Sequence, residues 1–234
     1  MGAIYKREMR AYFTSLGAYF FLAAFYAIEG FLFFVLYSNG SSNVFAIPFG
    51  YPLYLTLFLV PVLTMRTISE DKRQKVDQVL LTAPIPVGSV VMGKFWACTT
   101  VFAIAYAPTL LFQTIVSYYT DTNWMLFLYS LLGTMLLGSA IIAIGIFISS
   151  LTESTALAAT LSIVVNIIIA FASSIAEMIG VEWITKGAKH IAMTDRYANF
   201  GESILSVPDI VYFISIIAVF LFLSVRSVEK RRWA

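Results

Sequence analysis

A single cysteine, Cys98, stands in 234 residues, which excludes an intramolecular disulfide framework. It sits in an apolar run and reads as a small packed side chain. There is one histidine, His190, and no His/Cys/Met cluster that resembles a metal relay. Charge is also scarce: Asp, Glu, Lys and Arg make up 12% of the chain against 60% hydrophobic residues. A soluble domain carries roughly twice that charged fraction, so too few polar groups remain to cover a surface. No paired carboxylate or activated nucleophile stands out at helical spacing, which argues against a membrane-embedded enzyme. A nucleotide loop is also lacking. Gly88-Ser-Val-Val-Met-Gly93-Lys94 has the GxxxxGK spacing, but Phe95 replaces the required hydroxyl residue and bulky apolar groups fill the interior. Lys94 is instead expected at the mouth of a membrane span, its amine reaching toward head groups.

What is present is a series of long apolar runs. Spans are predicted at about 16–37, 47–65, 90–116, 125–148, 155–174 and 207–225, each near the ~20 residues that cross a bilayer as a helix. The fold class is therefore an all-α polytopic membrane protein, one transmembrane domain over 1–234. Before the first span, Tyr5, Met9, Tyr12, Phe13 and Leu16 recur at helical spacing among Lys6, Arg7 and Arg10. That pattern predicts an interfacial helix lying on anionic head groups. Glu29 falls inside the first span, where an acid is costly and points into protein or water. Asn166 in the fifth span is placed to hydrogen-bond across the bundle. Gly133, Gly138 and Gly145 in the fourth permit close helix contact.

The longest polar interruption before the last third is 66–94. Glu70, Asp71, Lys72, Arg73, Lys75 and Asp77 open it, Val79, Leu80 and Leu81 follow, and Pro84 stops the pattern. As a helix, Ile68, Val76, Val79, Leu80 and Ala83 share one side with Lys72, while Asp71, Arg73, Gln74, Asp77 and Gln78 face elsewhere. Two readings fit: a solvated loop, or a short amphipathic element offered to another protein. Residues 175–208 mix charges with Met178, Ile179, Val181 and Trp183, and read as short amphipathic helices or a plain loop. With six spans and both ends inside, the inner segments carry Lys6, Arg7, Arg10, Arg66, Lys72, Arg73, Lys75, Lys94, Arg226, Lys230, Arg231 and Arg232. The outer ones carry Lys186, Lys189 and Arg196. That division, 12 against 3, puts 66–94 and both termini in the cytoplasm.

Several stretches carry a family resemblance. Pro61-Val-Leu-Thr-Met-Arg66, Glu70-Asp-Lys-Arg73, Gln78-Val-Leu-Leu-Thr-Ala-Pro84 and Gly93-Lys94 resemble the type-2 ABC exporter permeases, and within them the gliding-motility-type branch. Asp209-Ile-Val-Tyr-Phe, Phe222-Leu-Ser-Val-Arg226-Ser-Val-Glu229 and Arg231-Arg232-Trp233 resemble that branch's closing segment. The resemblance implies a membrane subunit of an ATP-driven exporter in the plasma (inner) membrane, working as a permease dimer with two cytoplasmic ATPases. ATP and Mg would lie on the ATPase, with no cofactor or metal in this chain and no nucleic-acid partner. Residues near 5–13 would match the interface helix and 69–83 the first coupling helix. Residues 149–155 would match the second cytoplasmic contact, and 175–206 the outer helices between spans five and six. Glu70, Asp71, Arg73, Asp77, Leu80 and Glu153 are then the ATPase-coupling candidates. Glu29 and Asn166 are candidates for an intramembrane polar surface, and Met178 and Trp183 for an outer gate or a contact with an extracytoplasmic accessory protein. At Val76-Asp77-Gln78 the family usually shows Thr, a variable residue and Glu, so the acid is displaced by one position here. The cargo stays open between peptide, lipid and another amphiphile. So does a mechanotransmitting or regulatory module that moves no substrate.

Overall fold

The computed structural model describes residues 2–38, 52–75, 86–180, 187, 191–201 and 206–232. The described residues are helical, without strands. In chain order the helices are α1 (Gly2–Thr14), α2 (Leu16–Ser38), α3 (Pro52–Thr64) and α4 (Ser69–Arg73). They continue with α5 (Val87–Tyr119), α6 (Trp124–Leu151), α7 (Thr155–Ala170), α8 (Ala172–Ile179), α9 (Met193–Gly201) and α10 (Val207–Arg232). Five stretches are long and apolar enough to cross a membrane: Leu16–Ser38, Leu53–Arg73, Val87–Tyr119, Trp124–Leu151 and Val207–Lys230. The pair Thr155–Ala170 and Ala172–Met178, bent by 69°, makes a sixth if it counts as one span.

The bend has a local cause. The amide of Phe171 still reaches Ile167 O, but Ala170 O accepts the Thr194 hydroxyl at 2.6 Å. A side chain inserted into the backbone ladder in this way is an ordinary source of a kink. Helix α8 then closes at Gly180, whose φ of 75° is the left-handed cap that glycine adopts without strain. The segment expected as one span at 155–174 is thus broken at Phe171. At the other turns, Asn123 caps α6 by accepting from the amides of Met125 and Leu126, both at 3.1 Å, and Ser154 caps α7.

Helix α6 is the centre of the bundle and touches α3, α5, α7, α9 and α10. Its glycines explain how so many neighbours fit. A Cβ on Gly133 would lie 2.7 Å from Phe200 of α9, on Gly138 2.1 Å from Phe102 of α5, and on Gly145 2.2 Å from Thr64 of α3. Small residues at helix contacts let backbones and large side chains approach closely where lipid offers no hydrophobic drive. Around Phe102 the core is aromatic: Phe25, Phe102 and Tyr106 meet edge to face, with centroids 4.9 to 6.4 Å apart. By contrast α2 buries one stripe only, Ala18, Phe21, Leu22, Phe25 and Glu29, and leaves Phe20, Phe31 and Phe34 exposed.

Gly138→Ala should therefore destabilise the purified chain by about 1–3 kcal/mol, because the Phe102 ring is locked among other rings and cannot yield. Gly30→Ala, with nothing near its Cβ position, should be neutral. Thermal unfolding of both variants in one detergent compares them directly.

Candidate functional site

At one end of the bundle four helices are joined by charge. Helix α1 turns Ile4 and Glu8 inward, one helical turn apart, with Tyr12 following on the same face. Ile4 packs onto Gly93, the tight approach that a Cβ there would block at 2.9 Å. This sets Glu8 beside Lys94 of α5. The Lys94 ammonium donates to Glu8 Oε1 at 3.0 Å and to Thr67 O at 2.5 Å, and forms an ion pair with Asp71 Oδ2 at 2.7 Å. Its side chain is 3% exposed, so the expectation that it reaches head groups is wrong. The physical reason is that two carboxylates and a freed carbonyl at the end of α3 offer more than water does. Arg7 completes the group, 2.5 Å from Glu8 and 3.6 Å from Asp71. Two cations thus face two anions, and the junction is close to neutral. Burial alone would lower the Arg7 pKa, but the Glu8 hydrogen bond and charge, with Asp71, raise it above its usual value.

The second tie comes from α6. Ile68 precedes α4 and gives no side-chain cap. Ser149 of α6 does the capping instead: its hydroxyl accepts from the amides of Ile68 at 3.1 Å and Ser69 at 3.0 Å, and donates to Met65 O at 3.2 Å. Lys72 is buried and donates its ammonium to Ser150 O, and Ser227 of α10 reaches the same carbonyl at 3.3 Å. The placing of Lys72 on the apolar side is correct, and its amine is satisfied there by the end of α6. Tyr12 adds a contact to Cys98 Sγ at 3.0 Å, and Tyr5 one to Thr100 Oγ1 at 3.1 Å.

The other candidates divide. Glu70 is half-buried and accepts from Gln74 at 3.1 Å, while Arg73 and Glu153 are exposed. Asp77, Leu80 and Trp183 lie outside the described residues, as do Val76, Val79 and Ala83. The helix expected over 69–83 does not run through as one piece. It closes at Arg73, and Lys75 takes a φ of 57°, a left-handed turn that ends an α-helix. Glu29 is fully buried in the α2 stripe, and neither carboxyl oxygen has a hydrogen-bond partner among the described residues. Asn166 donates to Ser162 Oγ of its own helix at 3.3 Å rather than across the bundle, and its carbonyl oxygen is buried without a partner among the described residues. Met178 is 89% exposed at the opposite end. No group of three or more His, Cys, Asp or Glu side chains that could hold a metal occurs among the described residues.

That opposite end has an anchor that sequence reasoning missed. Asp209, in the first turn of α10, is fully buried and accepts from Arg196 at 3.0 Å and Asn199 at 2.6 Å. Its position in the first turn, next to the positive end of the helix, was the available signal. Ser173 donates to Asp195 at 3.0 Å and ties α8 to α9. Glu8 and Ser149 were missed as well. Glu8 is the one acid of a basic helix and follows Ile4 by one turn.

Removing Lys94 strands two carboxylates. Lys94→Met should cost about 3–5 kcal/mol, as for any buried pair that loses one member. Adding Glu8→Gln to Lys94→Met should recover part of that loss. Thermal unfolding of the single and double variants provides the comparison.

The sequence matches the model of the ABC-2 family transporter protein over residues 45–231, most of the chain. A search of curated proteins found no match. The resemblance read from 61–94 and 209–233 is thereby borne out at the level of the family, whose members are the membrane component of ABC transporters and not the ATPase. With its apolar helices and a match over 45–231, the chain belongs to the ABC-2 transporter family and is a multi-pass membrane permease component.

Proposed function

We propose that the chain is an exporter permease of the plasma membrane with both termini cytoplasmic, working as a dimer and driven by a separate dimeric ATPase. The observation that carries this reading is the double tie on α4. Ser149 and Lys72 bind it to the end of α6, and Asp71 binds it to α1 and α5 through Lys94. A load applied at α4 therefore reaches the central helix and the surface helix together. Arg73, Gln74 and Lys75 are exposed just beyond it, and Glu153 is exposed in the turn after α6. These two segments form the ATPase-facing surface, with Glu70, Asp77 and Leu80 contributing from the same stretch. The 12-to-3 division of basic residues supports a cytoplasmic setting for this end. The residues quoted for the gliding-motility-type branch favour a place in it.

Cargo is an amphiphile, peptide or lipid. Glu29 and Asn166 supply the polar part of its path, since both keep buried oxygen atoms without partners among the described residues. Met178 and Trp183 mark the outer exit and a site for an extracytoplasmic accessory protein.

The experiment reconstitutes the permease with its ATPase in vesicles and measures ATPase retention, ATP hydrolysis and cargo movement. Ser149→Val should leave the ATPase bound but uncouple hydrolysis from transport. Leu80→Ala should weaken binding itself, in keeping with about 2–5 kcal/mol for a truncated buried leucine. Asp77→Ala should be milder, because exposed ion pairs contribute about 0–1 kcal/mol. Glu29→Gln should preserve assembly and reduce transport. Coupled ATP hydrolysis without any cargo movement in the unaltered complex would favour a mechanotransmitting module instead.

A further inference from the structure

The elbow between α1 and α2 encloses a cleft that the coupling junction does not use. It has a volume of about 860 Å³ and is walled by Leu16, Phe20, Ala23 and Val62, with Tyr12 and Arg66 at its polar edge. That is within the roughly 300–1,000 Å³ of small-molecule sites. The walls are the first turns of α2 and the last turns of α3, both in stretches apolar enough to lie in a bilayer. The floor is hydrocarbon in character, and the one charged side chain on the cleft is Arg66.

Arg66 differs from the other cations of this end. Lys94 and Arg7 are paired with Glu8 and Asp71, and Lys72 is held by Ser150 O. Arg66 is exposed and has no ion-pair partner among the described residues. Its Nη1 lies 3.6 Å from the position a Cβ on Gly17 would take, so the guanidinium sits against the elbow backbone. Neighbouring hydroxyls are committed elsewhere, Ser15 to Tyr12 O and Tyr12 to Leu63 O and Cys98. The free donors at the mouth are therefore those of Arg66. A polar cleft adjoins on the far side, sharing Tyr12, Ser15 and Arg66 and lined by Arg7 and Lys94 as well as Glu8, Glu70 and Asp71. Arg7 and Lys94 are already paired there with Glu8 and Asp71, which leaves Arg66, on its membrane side, as the cation open to an anion.

We propose that this cleft holds one glycerophospholipid from the surrounding leaflet. Its phosphate is bound by the planar donor fork of Arg66, which suits phosphate oxygens two at a time. One acyl chain lies along Phe20, Ala23 and Val62. A protein helix is a poorer occupant, because it would need its own carboxylate at Arg66 and a diameter of about 10–12 Å. The bound lipid fills the angle between α1 and α2 and fixes how the surface helix meets the first span.

Native mass spectrometry of the full chain in detergent tests this with two probes that share their acyl chains, dioleoylphosphatidylglycerol and dioleoylglycerol. One phosphatidylglycerol should be retained per chain, and dioleoylglycerol should not. Arg66→Gln should lower retention by about tenfold, and Arg66→Lys, which keeps the charge but not the fork, should restore only part of it. Ala23→Trp fills the acyl slot with Arg66 and the junction untouched. It should abolish retention, and it carries the test if Arg66→Gln fails to elute as a folded protein. Equal retention of both probes, retention unchanged by Ala23→Trp, or a second copy cross-linking into a lipid-free cleft would each overturn the proposal.

Discussion

An ammonium group withdrawn from water must be met by partners, and Lys94 draws its three from different parts of the chain. It donates to Glu8 on α1 and to the carbonyl of Thr67, and pairs in charge with Asp71 on the short helix after α3. None of these partners is close to Lys94 in sequence. The end of the bundle depends on this arrangement, because charges in low dielectric tolerate few alternative positions. It is neutral as a group, so it can be buried, and directional, so it fixes α1 and α4 relative to α5. Apolar packing alone would let α1 slide along the bundle.

The two ends are built on different chemistry. At the junction a cluster of four charges and a borrowed serine cap join helices that are far apart in sequence. At the opposite end one buried aspartate at the start of α10 gathers Arg196 and Asn199 from the helix just before it. Between them α6 has notches in place of side chains at Gly133, Gly138 and Gly145, each filled by a different helix. A displacement of α6 cannot leave α3, α5 and α9 where they were. The break at Phe171 limits this rigidity, since Thr194 holds the carbonyl that would have continued the helix.

The long apolar runs were legible because hydrocarbon thickness imposes a length on any spanning helix. The glycines of α6 were legible as contacts for the same reason, as was Lys72 on its helical stripe. The site was only half visible. Glu8 looked like part of a charged surface, and Lys94 looked like a head-group contact, since sequence periodicity on one helix cannot report an acid 86 residues away. Ser149 capping α4 is equally non-local. The break at Phe171 depends on Thr194, which no window around 171 contains. The span of the helix after Ser69 was overestimated because amphipathic spacing continued past Lys75, where the backbone turns left-handed. Glu29 was legible as an anomaly, and its place in the buried stripe of α2 follows from its spacing after Ala18, Phe21, Leu22 and Phe25.

Helix α1 is made well before the helix that holds it, and is fixed late. Its inward contacts, Tyr5 with Thr100, Glu8 with Lys94 and Tyr12 with Cys98, all lie on α5, at separations of 95, 86 and 86 residues. During synthesis those partners do not exist until two spans have already left the ribosome. Until then Glu8 has water and the neighbouring basic side chains, and the apolar face of α1 has the bilayer surface. The arrival of α5 thus serves as the assembly step that fixes α1 to the rest of the bundle. A nascent chain halted before residue 94 would carry α1 without the partners that orient it.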